Sequence, residues 1–219
     1  MDVSEIQVRV KRTFGDESGV QLTDADIIRW TNDAMREIAL DNNLLQTRSS
    51  SNTVLDQSEY DVPAGILTLR SVKYQGNRLQ GLTLSQAEAM IPNIDDSVNY
   101  PSGQPTHFWV WANKITLYPK PDVGTANGLT MYYTAQPTPV VVNGDVPVVP
   151  LQYHNRIVEY CIAQAYELDD DPKSYQAKMD QFKQGNNELR DNSDWVQREV
   201  YPSITVSAGD VGYSSYEEY

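Results

Sequence analysis

The sequence predicts an α+β protein: a helical bundle built from both chain ends, an inserted β-rich segment, and an extended C-terminal tail. Three observations carry this. Apolar residues near both ends recur at steps of three and four, the spacing of one helix face. From about residue 53 to 146 they alternate in short runs punctuated by Gly, Pro and Asn, the signature of strands and turns. The two last helical runs are separated by Asp169-Asp170-Asp171 alone, a connection short enough to make them antiparallel neighbours. The expected division is a bundle over 1–48 and 150–191, a β-rich insertion over 49–149, and an arm over 192–219.

Each element has its own signal. Val3, Ile6, Val10 and Phe14 mark a first helix, with Asp2 placed to cap it and Gly15 to close it. Thr23 starts a second, with Asp26 completing a variant capping box and Ile27, Trp30, Ala34 and Ile38 as its buried stripe, widened by Met35 and Ala39. It should end near Asp41-Asn42-Asn43. The polar stretch TRSSSNT, residues 47–53, breaks the pattern. Val54-Leu55 is expected to begin a short strand, and Tyr60 and Val62 alternate before a Pro63-Ala64-Gly65 turn. Ile66–Tyr74 (ILTLRSVKY) is a strand of good β-formers ending at Gln75-Gly76-Asn77-Arg78, continued by Leu79, Leu82 and Leu84. Ser85 with Glu88 signals a helical turn or two through Met90, and residues 91–104 should be a long loop.

An aromatic hairpin follows, with strands over 107–112 and 115–118 and Asn113-Lys114 at its turn. His107, Trp109 and Trp111 point one way and Phe108, Val110 and Ala112 the other, so both faces should be covered. Pro119 and Pro121 lack an amide donor and should end pairing at an edge. Leu129–Thr134 is the next strand, and residues 136–150 an extended return. His154, Ile157, Val158, Cys161, Ile162, Ala165 and Leu168 form one helical stripe. Asp171 caps a final helix, with Pro172 at its first position, running to about Arg190. From Asn192 the pattern fails, and 206–219 (VSAGDVGYSSYEEY) is a polar, Tyr-rich tail.

The composition excludes several function classes. The chain has 219 residues, 30 Asp plus Glu and 17 Lys plus Arg, for a net charge of −13. Its densest basic stretch, Arg9, Lys11 and Arg12, reads as a solvated helix face, and no run of basic residues suits counterion-releasing duplex binding. No apolar run approaches eighteen residues, so no membrane partner is expected, and the first twenty residues lack a secretory apolar block. One cysteine excludes an internal disulfide and fits a reducing compartment.

Chemistry is equally scarce. Cys161 sits mid-stripe as a small core residue, and His107 and His154 lie in different elements. No HxxxH, CxxC or HExxH spacing occurs, and Asp169-Asp170-Asp171 is explained by helix capping. Gly15 to Gly19 lacks the Lys and Ser/Thr of a phosphate-cradling loop. No catalytic residue, metal or cofactor is therefore assigned. Trp109, Trp111 and Tyr118 are read as scaffold of the β region. Tyr201, Tyr213, Tyr216 and Tyr219 belong either to a disordered solubilising tail or to a segment that orders against another subunit, where Tyr is a favoured anchor. An alternative gives Trp109 and Trp111 to a sugar platform in a carbohydrate-binding module. A third reading, a cytoplasmic enzyme with a carboxylate pair, has no supporting spacing.

The order of elements carries a resemblance. LTDADIIRWTNDAMREIALDNNLL leads into EYDVPAGILTLRSVKYQGNRL, then GQPTHFWVWANKITLYPKPD, LTMYYTAQP and PLQYHNRIVEYCIAQAYELDDD. Over roughly residues 3–205 this resembles the head-to-tail adaptor proteins of tailed bacteriophages, the connector ring beneath the portal. The resemblance implies a structural virion protein, made in the host cytoplasm. It implies a ring, usually of twelve copies, that docks on the portal protein, extends the DNA channel and presents a surface for tail or nozzle proteins. Double-stranded DNA would pass without sequence-specific binding, and an acidic balance suits such a conduit. Twelve copies at −13 each would total about −156, so interfaces must be large or set cations against carboxylates.

Overall fold

The computed structural model describes residues 1–91, 93–94 and 96–197. It is a mixed α+β structure with five α-helices and several small sheets. The predicted arm, including Tyr201, Tyr213, Tyr216 and Tyr219, lies outside the described residues apart from the helical segment up to Gln197.

The helical ends are set locally. Helix α1, Val3–Phe14, starts where the Asp2 carboxylate accepts the Glu5 amide, and stops at Gly15, whose φ of 96° suits a residue without Cβ. Helix α2, Asp24–Asp41, is capped by Thr23, which accepts the Asp26 amide while its hydroxyl donates to the Asp26 carboxylate at 2.6 Å. Helices α4, His154–Leu168, and α5, Pro172–Gln197, come later in the chain. Asp171 opens α5 by accepting the amides of Lys173 and Ser174, both at 3.2 Å. Helix α5 runs seven residues beyond the expected end at Arg190. Residues 191–194 are all polar, so the apolar spacing gives no signal there while the backbone ladder continues.

These four helices share one core: Val3, Ile6 and Val10 of α1, Ile27 to Ile38 of α2, Ile157 to Ala165 of α4, and Met179 and Phe182 of α5. Burying each Ile, Phe or Met stabilises the fold by about 1.5–3 kcal/mol relative to exposure. Tyr160 meets Phe182 edge-on at 5.2 Å. Asn42, at the end of α2, bonds Asn186 of α5, which in turn donates to Asp41 at 3.1 Å.

The middle of the chain forms two four-stranded sheets and a two-stranded ladder. Strand β1 is Gln46–Thr53, β2 Glu59–Asp61, β3 Ile66–Tyr74, β4 Asn77–Arg78 and β5 Gln80–Gly81. Helix α3, Leu84–Met90, follows, then β6 Ser102–Gly103, β7 His107–Trp111, β8 Lys114–Tyr118, β9 Lys120–Pro121 and β10 Thr125–Ala135. The first sheet has the order β1-β10-β3-β4 and the second β2-β8-β7-β5. Val72, Tyr74, Leu129 and Met131 from the first and Tyr60, Ile115 and Leu117 from the second form a common core. That is a sandwich in miniature, each inner face built from alternate residues.

Several local expectations need correction. The polar stretch after α2 is a strand, not a break: β1 pairs antiparallel along β10, Arg48 opposite Tyr132 and Ser50 opposite Thr130. Its outward Ser, Thr and Asn side chains face solvent, so no alternation of apolar residues announces it. Val54 and Leu55 are an exposed turn instead of a strand start, pinned by Tyr60, whose hydroxyl accepts the Val54 amide and donates to the Gln57 carbonyl. The cap of α3 is Thr83 with Gln86, a reciprocal capping box, and not Ser85 with Glu88. The hairpin turn is Ala112-Asn113, both at positive φ, which pairs Trp111 with Lys114. Pro119 and Pro121 do not end pairing. The Lys120 amide between them donates to the Pro101 carbonyl and starts the β6–β9 ladder.

Candidate functional site

Of the cysteine and the two histidines, Cys161 and His154 are locked into the core and His107 is half-buried. Cys161 is fully buried, and burial pushes its thiol up to about 12, with the Thr31 hydroxyl as its polar neighbour at 3.8 Å. His154 is buried with Nε2 at 2.9 Å from the Val149 carbonyl. His107 lies on the hairpin, its Nδ1 at 2.8 Å from the Thr106 hydroxyl. No described group of three or more His, Cys, Asp or Glu could hold a metal ion.

The acidic residues that stand out are structural. Asp16 accepts the amides of Val20, Gln21 and Leu22 at 2.8–3.0 Å and the Ser18 hydroxyl at 3.1 Å, and these bonds hold its carboxyl down at about 2. It shapes the connection between α1 and α2. Burial raises the carboxyls of Glu37 and Glu159 from their ordinary value, the latter opposed by Arg156 at 2.7 Å.

The aromatic hairpin separates into two environments. Trp109 is 4% exposed and packs with Ala87 of α3, with Ile91 just after that helix, and edge-on to Tyr100 at 6.2 Å. Tyr118 meets the same Tyr100 at 5.4 Å. Phe108 packs on the opposite face, into the sandwich. Both faces are thus covered at the base of the hairpin, but not at its tip, where Trp111 is 63% exposed beside exposed Val110. The two tryptophans therefore form no paired sugar platform: one is core and the other is a tip.

What remains is surface, in two places. One is an apolar ridge on the return from β10 to α4. Val141 and Leu151 are 70% and 71% exposed, with Val142, Val146 and Val148 also exposed. Hydrogen bonds hold the 140–145 part of this segment. The Asp145 carboxylate accepts the Val141 and Val142 amides, the Asn143 and Asp145 carbonyls accept the Ser4 and Val3 amides, and Asn32 clamps Val140 from both sides. The valine run was visible in the sequence; its exposure was not, because nothing in its spacing tells a buried extended segment from an outward one.

The other is a concavity of about 890 Å³ on the first sheet, lined among others by Arg48, Arg70, Lys73, Arg78, Tyr132 and Tyr133. Ladder register explains it: Arg48 sits opposite Tyr132, which sits opposite Ser71, and Lys73 sits opposite both Thr130 and Arg78. Lys73 lies over the Tyr132 ring, 4.9 Å from its centre. No described carboxylate pairs with any of the four cations. By contrast, the Arg9, Lys11 and Arg12 stretch is neutralised by Glu5, Asp24 and Glu17. The cationic cluster was missed from sequence because its members are brought together only by non-local pairing.

The family described as SU10 adaptor protein has a sequence model that matches residues 1–206. No curated protein matches the chain.

Proposed function

The chain belongs to the SU10 adaptor protein family, structural adaptors of tailed phages, and on that premise we propose that it closes into a ring that joins head to tail. The ring, of twelve copies, docks on the portal protein, extends the DNA channel and presents a surface to tail or nozzle proteins in the virion. In this reading residues 1–48 and 150–191 act as one bundle, 49–149 as an inserted β-rich domain, and 192–219 as an arm whose Tyr201, Tyr213, Tyr216 and Tyr219 anchor on the portal or a neighbouring subunit. Trp109 and Tyr118 stiffen the β domain, and Trp111 at the tip is a contact for a neighbour.

The single observation that best supports this reading is the mounted apolar ridge. Five large apolar side chains exposed in one segment would cost free energy if left in water. The backbone at Val140, Asn143 and Asp145 is nonetheless tied by specific hydrogen bonds to α1 and α2, which holds the start of the segment in place. An apolar surface anchored in this way is suited to a stable partner. A ring uses two different faces of each subunit, and closure fixes the copy number.

The test is the mass of the full chain in solution, alone and with purified portal. The reading expects a discrete multiple of the subunit mass on the portal, reduced at least tenfold in yield by Val141→Asp with Leu151→Asp. Particles that stay monomeric beside the portal would overturn it.

A further inference from the structure

The charge of this chain is segregated. Residues 46–135 hold six basic and seven acidic side chains, close to neutral, so nearly all of the −13 resides in the helices and the C-terminal stretch. Within the near-neutral part, four cations gather on one sheet with no described carboxylate partner. Copies that each carry −13 repel one another unless such cations meet carboxylates across the seam.

The first sheet also has an open edge. Strand β1 is eight residues long and pairs on one side only, with β10. Among the described residues no backbone hydrogen bond reaches its other side. Its register runs unbroken from Gln46 to Ser51 and shifts only between Ser51 and Thr53, and an edge of that length without Pro is a template for another strand. Gln46, Thr47 and Arg48 of this edge form one rim of the cationic concavity, so strand addition there would deliver a chain directly to the cations.

The sequence contains a segment of matching chemistry. Residues 199–219 have no Lys or Arg and four acids, Glu199, Asp210, Glu217 and Glu218. Ile204, Thr205 and Val206 are good β-formers, and Pro202 precedes them, where a missing amide is tolerated. An extended chain covers about 3.3 Å per residue, and four strands span about 14 Å, so a segment paired at β1 through Thr205 can carry Asp210 over the concavity. Tyr213 and Tyr216 then meet guanidinium groups and the Tyr132 ring, where aromatic and cation–π contacts are available.

The geometry points to the outer edge and cationic concavity of the first sheet as the docking site for residues 203–218 of a second copy of this chain. This rests on the ring reading above, because the occupant comes from a neighbour. The pairing offsets repulsion between copies, which an arm folded back on its own sheet would not do.

The test mixes two full-length variants, Ser50→Cys and Thr205→Cys, on purified portal and adds a short bismaleimide. The one native thiol, Cys161, is buried and silent. The expected product is a covalent heterodimer that neither variant gives alone. Its yield should fall at least tenfold on adding Arg48→Glu, Arg70→Glu and Arg78→Glu to the Ser50→Cys chain. These three arginines are exposed, so the fold tolerates the change. Replacing Glu199, Asp210, Glu217 and Glu218 with Lys in the Thr205→Cys chain should restore the yield. A portal-bound ring without heterodimer overturns the inference alone. So does a chain carrying both Ser50→Cys and Thr205→Cys that links only within itself, or a duplex DNA complex lost on adding the three Arg→Glu changes while no cross-link forms. A chain that forms no ring on the portal overturns the ring reading and this inference together.

Discussion

The helical core and the sheet region of this protein are specified in opposite ways. Each helix end is fixed by residues within a turn of it: Asp2 and Gly15 for α1, Thr23 and Asn42 for α2, Asp171 for α5. The sheets are fixed by partners far away in sequence, β1 by β10 some 80 positions later. The electrostatics divide along the same line. In the helices most cations have a nearby carboxylate, whereas on the first sheet Arg48, Arg70, Lys73 and Arg78 have none among the described residues. The lesson is that local signals specify the scaffold, and non-local pairing creates the surfaces left available for partners.

The largest expected effect tests whether the two regions are separate. Phe182 is fully buried among the helices and Leu117 among the strands. Phe182→Ala should cost about 3–5 kcal/mol and Leu117→Ala about 2–5 kcal/mol. Urea unfolding can follow both, with Trp30 reporting on the helices and Trp109 on the strands. If the regions are energetically distinct, each variant moves mainly its own transition. Equal shifts in both signals would make the regions one cooperative unit.

A smaller pair of changes contrasts local with non-local specification. Thr23→Ala removes the cap of α2 and should cost about 1 kcal/mol in thermal or urea denaturation. Ser50→Val, on the exposed face of β1, should stay within about 0.5 kcal/mol of the parent, because register there is held by the backbone ladder.

Acid titration sharpens the same contrast. The folded protein holds Asp16 at about 2, below its ordinary 3.8, through amide hydrogen bonds. A depressed carboxyl stabilises the folded state above its ordinary value, and that contribution is lost as pH falls from about 4 through about 2. The Trp30 signal should therefore weaken in that window, and Asp16→Asn should flatten the dependence. An unchanged acid profile in Asp16→Asn would remove Asp16 from the account.

The smallest effect is a balance. Gly185 lies inside α5, where Gly is about 1 kcal/mol worse than Ala. A Cβ there would fall 1.9 Å from the Arg156 guanidinium, which is held by Glu159. Gly185→Ala should gain helix propensity and strain that ion pair, leaving net stability within about 1 kcal/mol of the parent.

Legibility in the sequence followed the same physical divide. The caps of α1, α2 and α5, the limits of β3 and the core role of Cys161 could be read because each depends on residues within a few positions. Strand β1 could not, since Ser, Thr and Asn stand at its inward as well as its outward positions and give no apolar alternation. The hairpin turn moved by one residue because Asn113-Lys114 and Ala112-Asn113 both place Asn at positive φ, and only cross-strand register chooses between them. The site was least legible: Arg48, Arg70, Lys73 and Arg78 are unremarkable in the chain and meet only once β1, β10, β3 and β4 lie side by side. The resemblance to phage adaptors, carried by element order, was sound over nearly the whole chain.

The claim beneath all of this is that the protein works through surfaces that partners cover. Amide hydrogen exchange of the full chain, free and on its portal, addresses that most directly. The account predicts new protection concentrated at the outer edge of β1, residues 46–53, and along the ridge from 141 to 151. Exchange that is identical in the two states at both places would contradict it.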